Sequence, residues 1–160
     1  MLAVGAIMKA SARFLGEDED LWELTGLLHD IDYEETVNNF ERHGLMAQEI
    51  LKDKVPKEVV KAIKAHNYEY SGVMPESALE KGLIASDAVS GLLIACALVM
   101  PSRKIKDVKA DTVNKKFKDK DFARGADRKR IMRCEELGIP LQKFFEISLE
   151  ALQLTQNIGV

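Results

Sequence analysis

The chain has 160 residues, 46% hydrophobic and 31% charged, with a formal net charge of -3. That length suits one domain with a real core, and the charge gives no reason to expect binding to a nucleic-acid polymer. Aromatics are only 6% and breakers are few, so the Leu, Ile, Val and Ala stock favours helices over a β-sandwich.

The first expected helix runs from Leu2 to Leu15, with Leu2, Ala6, Met8, Ala12 and Leu15 on one broad apolar face. No capping residue precedes it. Asp18 or Asp20 caps a second helix through Leu21, Trp22, Leu24 and Leu28, which ends at His29-Asp30. Asp32 to Asn39 reads as an acidic, polar loop. Glu41 to Leu51 reads as a third helix with Leu45, Met46 and Ile50 inward. Pro56 marks the start of a fourth, through Val59, Val60, Ile63 and His66. A loop from Tyr68 to Pro75 follows, and Glu76 or Ser77 opens a long apolar helix closed by Pro101.

Within that helix, Gly82 to Met100 approaches the length of a membrane span. It carries Asp87, Ser86 and Ser90, and a charge inside a bilayer costs about 3 kcal/mol on insertion scales. A central helix buried on all sides is the better reading, and its acid then needs a partner such as a metal ion. Residues 101–130 form a basic, loop-rich segment, and 131–160 supply C-terminal helices. There Asp127 caps a helix stopped by Gly138, and Pro140 opens an amphipathic one through Phe144, Phe145 and Leu152. The two cysteines, Cys96 and Cys134, are too far apart in sequence for a zinc-ribbon pair. No basic leader precedes an apolar segment, so a cytoplasmic setting is expected, with no membrane partner.

Chemistry concentrates in the three histidines, His29, His43 and His66. An imidazole and a carboxylate side by side at a helix end, as in His29-Asp30, suit a divalent ion, and Asp87 is the natural third ligand. A His-Asp pair by itself is common and usually exposed or locally hydrogen-bonded. His66 also fits a helix-ending histidine near the carbonyl dipole, and His43 a surface residue. Eight cations of the basic segment are candidate phosphate contacts, although most such side chains are merely solvated.

The ordered set changes the balance. LTGLLHDIDYE, ERHGLMAQEIL, VVKAIKAHN and ASDAVSGLL together resemble the HD-domain superfamily of metal-dependent hydrolases, over nearly the whole chain. The resemblance implies an all-α, single-domain helical bundle and a metal-dependent phosphohydrolase acting on a small phosphorylated substrate such as a nucleotide. It implies one or two divalent ions (Mn, Mg, Fe, Co, Ni or Zn) held by His29, Asp30, Asp87, His43 and His66, with Asp30 and His66 as catalytic residues. Lys104, Arg124 and Tyr33 are the expected substrate contacts, and an oligomer is left open. One feature departs from the pattern: the family's first histidine is absent, since none precedes His29. It would fall just upstream of Met1, so the expectation is a start short of that ligand, with true loss as the alternative. Two other readings stand beside the hydrolase: a di-iron oxygenase on the same scaffold, and a degenerate module that binds a nucleotide or a protein without turnover.

Overall fold

The computed structural model describes residues 1–156 and 158–160, and the described residues are helical with no strand. Helix α1 (Leu2–Leu15) stops at Gly16, whose φ of 75° lets the chain reverse without a Cβ clash. Helix α2 (Glu19–Leu28) starts because the Asp18 carboxylate accepts the backbone N–H groups of Asp20 and Leu21. The segment after it, expected as an open loop, instead forms a helical turn, α3 (Tyr33–Thr36). The third expected helix is split. Phe40–Arg42 is a 3-10 turn, Gly44 bends the chain at a φ of 83°, and α4 (Leu45–Leu51) follows. Helix α5 (Lys57–His66) begins after Pro56, and α6 (Tyr68–Ser71) is one turn within the expected loop.

Helix α7 (Ala78–Leu98) opens with a reciprocal cap in which Ser77 accepts from the N–H of Glu80 and Glu80 accepts from the N–H of Ser77. By length and composition α7 is apolar enough to cross a membrane, yet it is the packed axis of this fold. It lies against α1 and α5, and against α8 (Ala110–Lys118), α9 (Arg128–Glu136) and α10 (Leu141–Leu154). Leu83, Ile84, Leu92, Leu93 and Cys96 are all fully buried, which is why this helix shows no polar face in the sequence.

The core divides into two apolar clusters. One joins Trp22, Ile63, Leu83 and the inner face of α1. The other joins the C-terminal half of α7 to Ile131, Phe144 and Phe145. The basic segment is less loose than expected, because Ile105, Val108 and Val113 anchor it in the second cluster. Arg128 then organises residues 117–126 by donating to the carbonyls of Asp119, Phe122, Ala123 and Ala126.

Two glycines decide how closely the N-terminal helices approach the site. A Cβ on Gly26 of α2 would lie 2.8 Å from the Gly5 backbone of α1. A Cβ on Gly82 would lie 2.5 Å from the Trp22 ring. These contacts bring the end of α2 against α7, so His29 arrives beside Asp87.

Candidate metal centre

All three histidines turn the same atom inward. His29 donates from Nδ1 to the Gly26 carbonyl at 2.7 Å, and His66 donates from Nδ1 to the Ile63 carbonyl. A carbonyl only accepts, so each Nδ1 carries a proton and each Nε2 faces the interior, able to ligate once it carries none. His43 reaches the same state differently. Its Nδ1 lies 2.9 Å from Asp32 Oδ1 and 3.3 Å from the Thr36 hydroxyl oxygen. That hydroxyl already donates to the Asp32 carbonyl at 2.7 Å, so it too accepts from His43.

Asp30 sits between the rings. One carboxylate oxygen is 3.2 Å from His29 Nε2, and the other is 3.3 Å from His43 Nε2 and 3.9 Å from His66 Nε2. Asp87 Oδ1 approaches His29 Nε2 at 3.6 Å from across the bundle. The predicted set of five, drawn from four separate parts of the chain, therefore converges. Asp30, His43 and His66 each place one ligand atom within 4.8 Å of the others.

The donor set fits a cation. His43 Nε2 and His66 Nε2 stand 3.0 Å apart in a buried site, and in neutral rings with both Nδ1 atoms protonated these would be two lone pairs facing each other. Only a shared proton or a positive ion relieves that contact. Imidazole nitrogens beside carboxylate oxygens suit first-row divalent metals.

The electrostatics agree. Burial opposes charge on His29, but its hydrogen bonds to Asp30 and Asp87 outweigh burial and raise its pKa to about 9. Burial also works against ionised Asp30, yet hydrogen bonds to His29 and His43 hold its carboxyl far below the usual range. Asp87 is lowered too, its bond to His29 overcoming burial. His66 goes the other way: full burial, with the positive side of His29 nearby, pushes it down to about 4.

The surroundings hold this cage rigid. Asp32, wholly buried, accepts the backbone N–H groups of Gly44 and Ala47 at 2.8 and 2.9 Å while it orients His43. Asn67 donates to the carbonyls of Phe40 and His43, tying the end of α5 to the 3-10 turn. The acidic loop reading missed Asp32, whose sequence signal is no more than a second acid two residues after Asp30.

A cavity of about 190 Å³ opens from this cage, walled by Tyr33, Phe40, Asn67 and Arg130. Tyr33 lines this cavity, its ring nearly perpendicular to that of His43. Lys104 and Arg124 are not brought there. Lys104 follows the C-terminal end of α7, whose last turn is about 16 Å from Asp87 at 1.5 Å per residue. Arg124 is exposed and paired with Asp121 at 2.9 Å. The cation that does face the cavity is Arg130 of α9, which no sequence pattern singled out.

The family model described as the HD domain matches residues 1–92, more than half of the chain. The chain belongs to the HD-domain family. No curated protein and no solved structure matches it at significant similarity. The matched stretch of this HD domain contains every converging ligand, from His29 to Asp87, whereas Arg130 and the loop before it lie outside that stretch. Helix α1, also inside it, carries no His, Asp, Glu or Cys.

Proposed function

We propose that this HD domain is a metal-dependent phosphohydrolase acting on a small phosphorylated compound. The observation that carries the reading is Asp30, whose two oxygens face different imidazoles, His29 on one side and His43 with His66 on the other. A single carboxylate so placed serves one ion or bridges two. His29, Asp30 and Asp87 form one half of the cage, and Asp30, His43 and His66 the other. A divalent ion bound there supplies an activated water and neutralises charge on the phosphoryl oxygens.

The chain's own residues set the conditions for that chemistry. His66, held to a pKa of about 4, stays neutral at physiological pH and keeps its Nε2 lone pair available. Asp30 stays ionised throughout the physiological range, its hydrogen bonds to His29 and His43 overcoming the cost of burial. Asp32 and the carbonyls of Gly26 and Ile63 keep each imidazole in one tautomer, so no reorientation is needed on binding. Phe40, stacked on His43 at 4.9 Å between ring centres, shields that side of the cage from water.

The test is a panel of phosphate esters assayed with Mn, Mg, Co, Ni, Zn and Fe, with metal content measured in parallel. Metal-stimulated phosphate release is expected, and Asp30→Ala and Asp87→Ala should each lose it together with metal binding. Wild-type metal binding in either variant would remove the site assignment. A mixed-valent di-iron signal after aerobic purification, with no phosphate release, would move the assignment to oxygenase chemistry.

A further inference from the structure

Arg130 stands at the junction of two cavities. It walls the 190 Å³ cavity of the metal cage and also a larger cleft of about 670 Å³, and Phe40 and Asp87 are shared by both. The outer cleft runs between α7 and the 123–127 loop. Its floor is cut low by Ala88 and Gly91, residues too small to fill it.

Arg130 is partly buried, and its guanidinium carries five donors. It makes one long bond, 3.4 Å from Nη2 to Glu69, and its carbon lies 5.5 Å from the centre of the Tyr68 ring. The ring and the carboxylate hold the group in place, while most of its donors remain unspent beside the cage. A planar cation of this kind matches the oxygens of a phosphoryl group in the same two-pronged way as those of a carboxylate.

The charge of the outer cleft limits what else enters. Around Arg130 stand three carboxylates, those of Glu69, Asp87 and Asp127, and no second cation lines the cleft among the described residues. Asp87 belongs to the metal cage, and Asp127 Oδ1 is spent on the N–H groups of Lys129 and Arg130. That leaves Glu69 and one oxygen of Asp127 as acceptors. Further phosphates would sit against these acids unpaired, whereas hydroxyl groups would find acceptors.

Resting on the phosphohydrolase reading, we infer that the substrate is a phosphate monoester of an uncharged, hydroxyl-bearing alcohol, with Arg130 anchoring its single phosphate. The alcohol occupies the outer cleft, which is roomy enough for a sugar or a nucleoside. In the reaction the oxygen of water bonds to phosphorus, the ester P–O bond breaks, and one proton of the water ends on the departing alcohol.

The experiment uses the full chain loaded with Mn. Adenosine mono-, di- and triphosphate and glucose 6-phosphate are compared as substrates, and inorganic phosphate is titrated calorimetrically. Monoesters should exceed the di- and triphosphate in kcat/KM by roughly tenfold or more, the effect of one unpaired charge near the acids. Arg130→Gln should raise KM for monoesters and weaken phosphate binding by roughly tenfold, with Mn affinity by electron paramagnetic resonance unchanged. Arg130→Lys should restore part of both. Equal or better turnover of the triphosphate overturns the inference, as does phosphate binding indifferent to Arg130→Gln. Absence of all turnover would defeat the phosphohydrolase reading. The phosphate titration would still decide the role of Arg130, because it needs no turnover.

Discussion

His43 and His66 meet Nε2 to Nε2 at 3.0 Å, each fixed from behind through its Nδ1. Neither ring can turn away without breaking a buried hydrogen bond, so the contact is built into the fold. In neutral rings it is a repulsion between lone pairs, and a cation converts it into shared ligation. A proton or a metal ion between the two nitrogens is therefore what this geometry accommodates.

Asp32 is the residue on which that arrangement leans. Asp32→Asn keeps the shape but offers His43 a weaker acceptor on one side of a buried amide. Metal affinity is expected to fall by about 10- to 100-fold, the usual effect of losing a carboxylate behind a metal-bound histidine. Asp32→Ala also strands the N–H groups of Gly44 and Ala47, so it should cost several kcal/mol of stability, on the order of 3. Calorimetric titration and thermal melts separate the two variants, and unchanged affinity in Asp32→Asn would refute the orienting role.

Metal binding should release a proton near neutral pH. His29, raised to about 9 by Asp30 and Asp87 against the effect of burial, is protonated at pH 7 without metal and must give up that proton to ligate. Affinity should therefore climb with pH up to about 9 and fall below it. For the metal-free protein the sign is opposite. The ion-pair contribution is fully present below pH 6.5 and is lost as the pH rises through 9. Titrations in buffers of different ionisation enthalpy count the protons, and melts with a chelator from pH 6.5 to 9 follow the stability.

Gly26→Ala should damage the fold and the site together. Its new Cβ would meet Gly5 backbone at 2.8 Å, and backbone has no rotamer through which to yield. Separating α1 from α2 should cost about 1–3 kcal/mol, typical of overpacking, and shift the carbonyl that holds His29. A lower Tm with weakened Mn binding is expected. Wild-type values for both would show that the helices pack less tightly than described.

The cysteines should be inert in the native protein. Burial pushes the Cys96 thiol up to about 11 and Cys134 up to about 12, so neither supplies thiolate at neutral pH. A disulfide reagent should label neither under native conditions and both after denaturation. Rapid native labelling would contradict their place in the core.

Much of the helical framework was legible because its signals are local. Asp18, Ser77 and Asp127 cap helices with side chains only two or three residues from the N–H groups they accept. The exceptions depend on contacts that local signals do not carry. The helix expected from Glu41 breaks because Gly44 takes a φ of 83° and lies against the Ile63 carbonyl, a contact no neighbouring residue announces. Lys104 and Arg124 shared the basic composition that suggested phosphate binding, but composition says nothing about direction, and Arg130 is the cation that α9 turns toward the cavity.

By itself the sequence determined which residue types were available and on which helices they rode, since caps, prolines and apolar spacing act over one or two turns. It also carried the HD pattern, through the order of His29-Asp30, His43, His66 and Asp87. Only the tertiary structure decided that Asp32 is buried behind His43, that two imidazoles face each other, and that Arg130 joins them. Those outcomes depend on how closely α1, α2 and α7 pack at Gly5, Gly26 and Gly82. Such distances arise from the combined shape of many side chains rather than from any one stretch of chain.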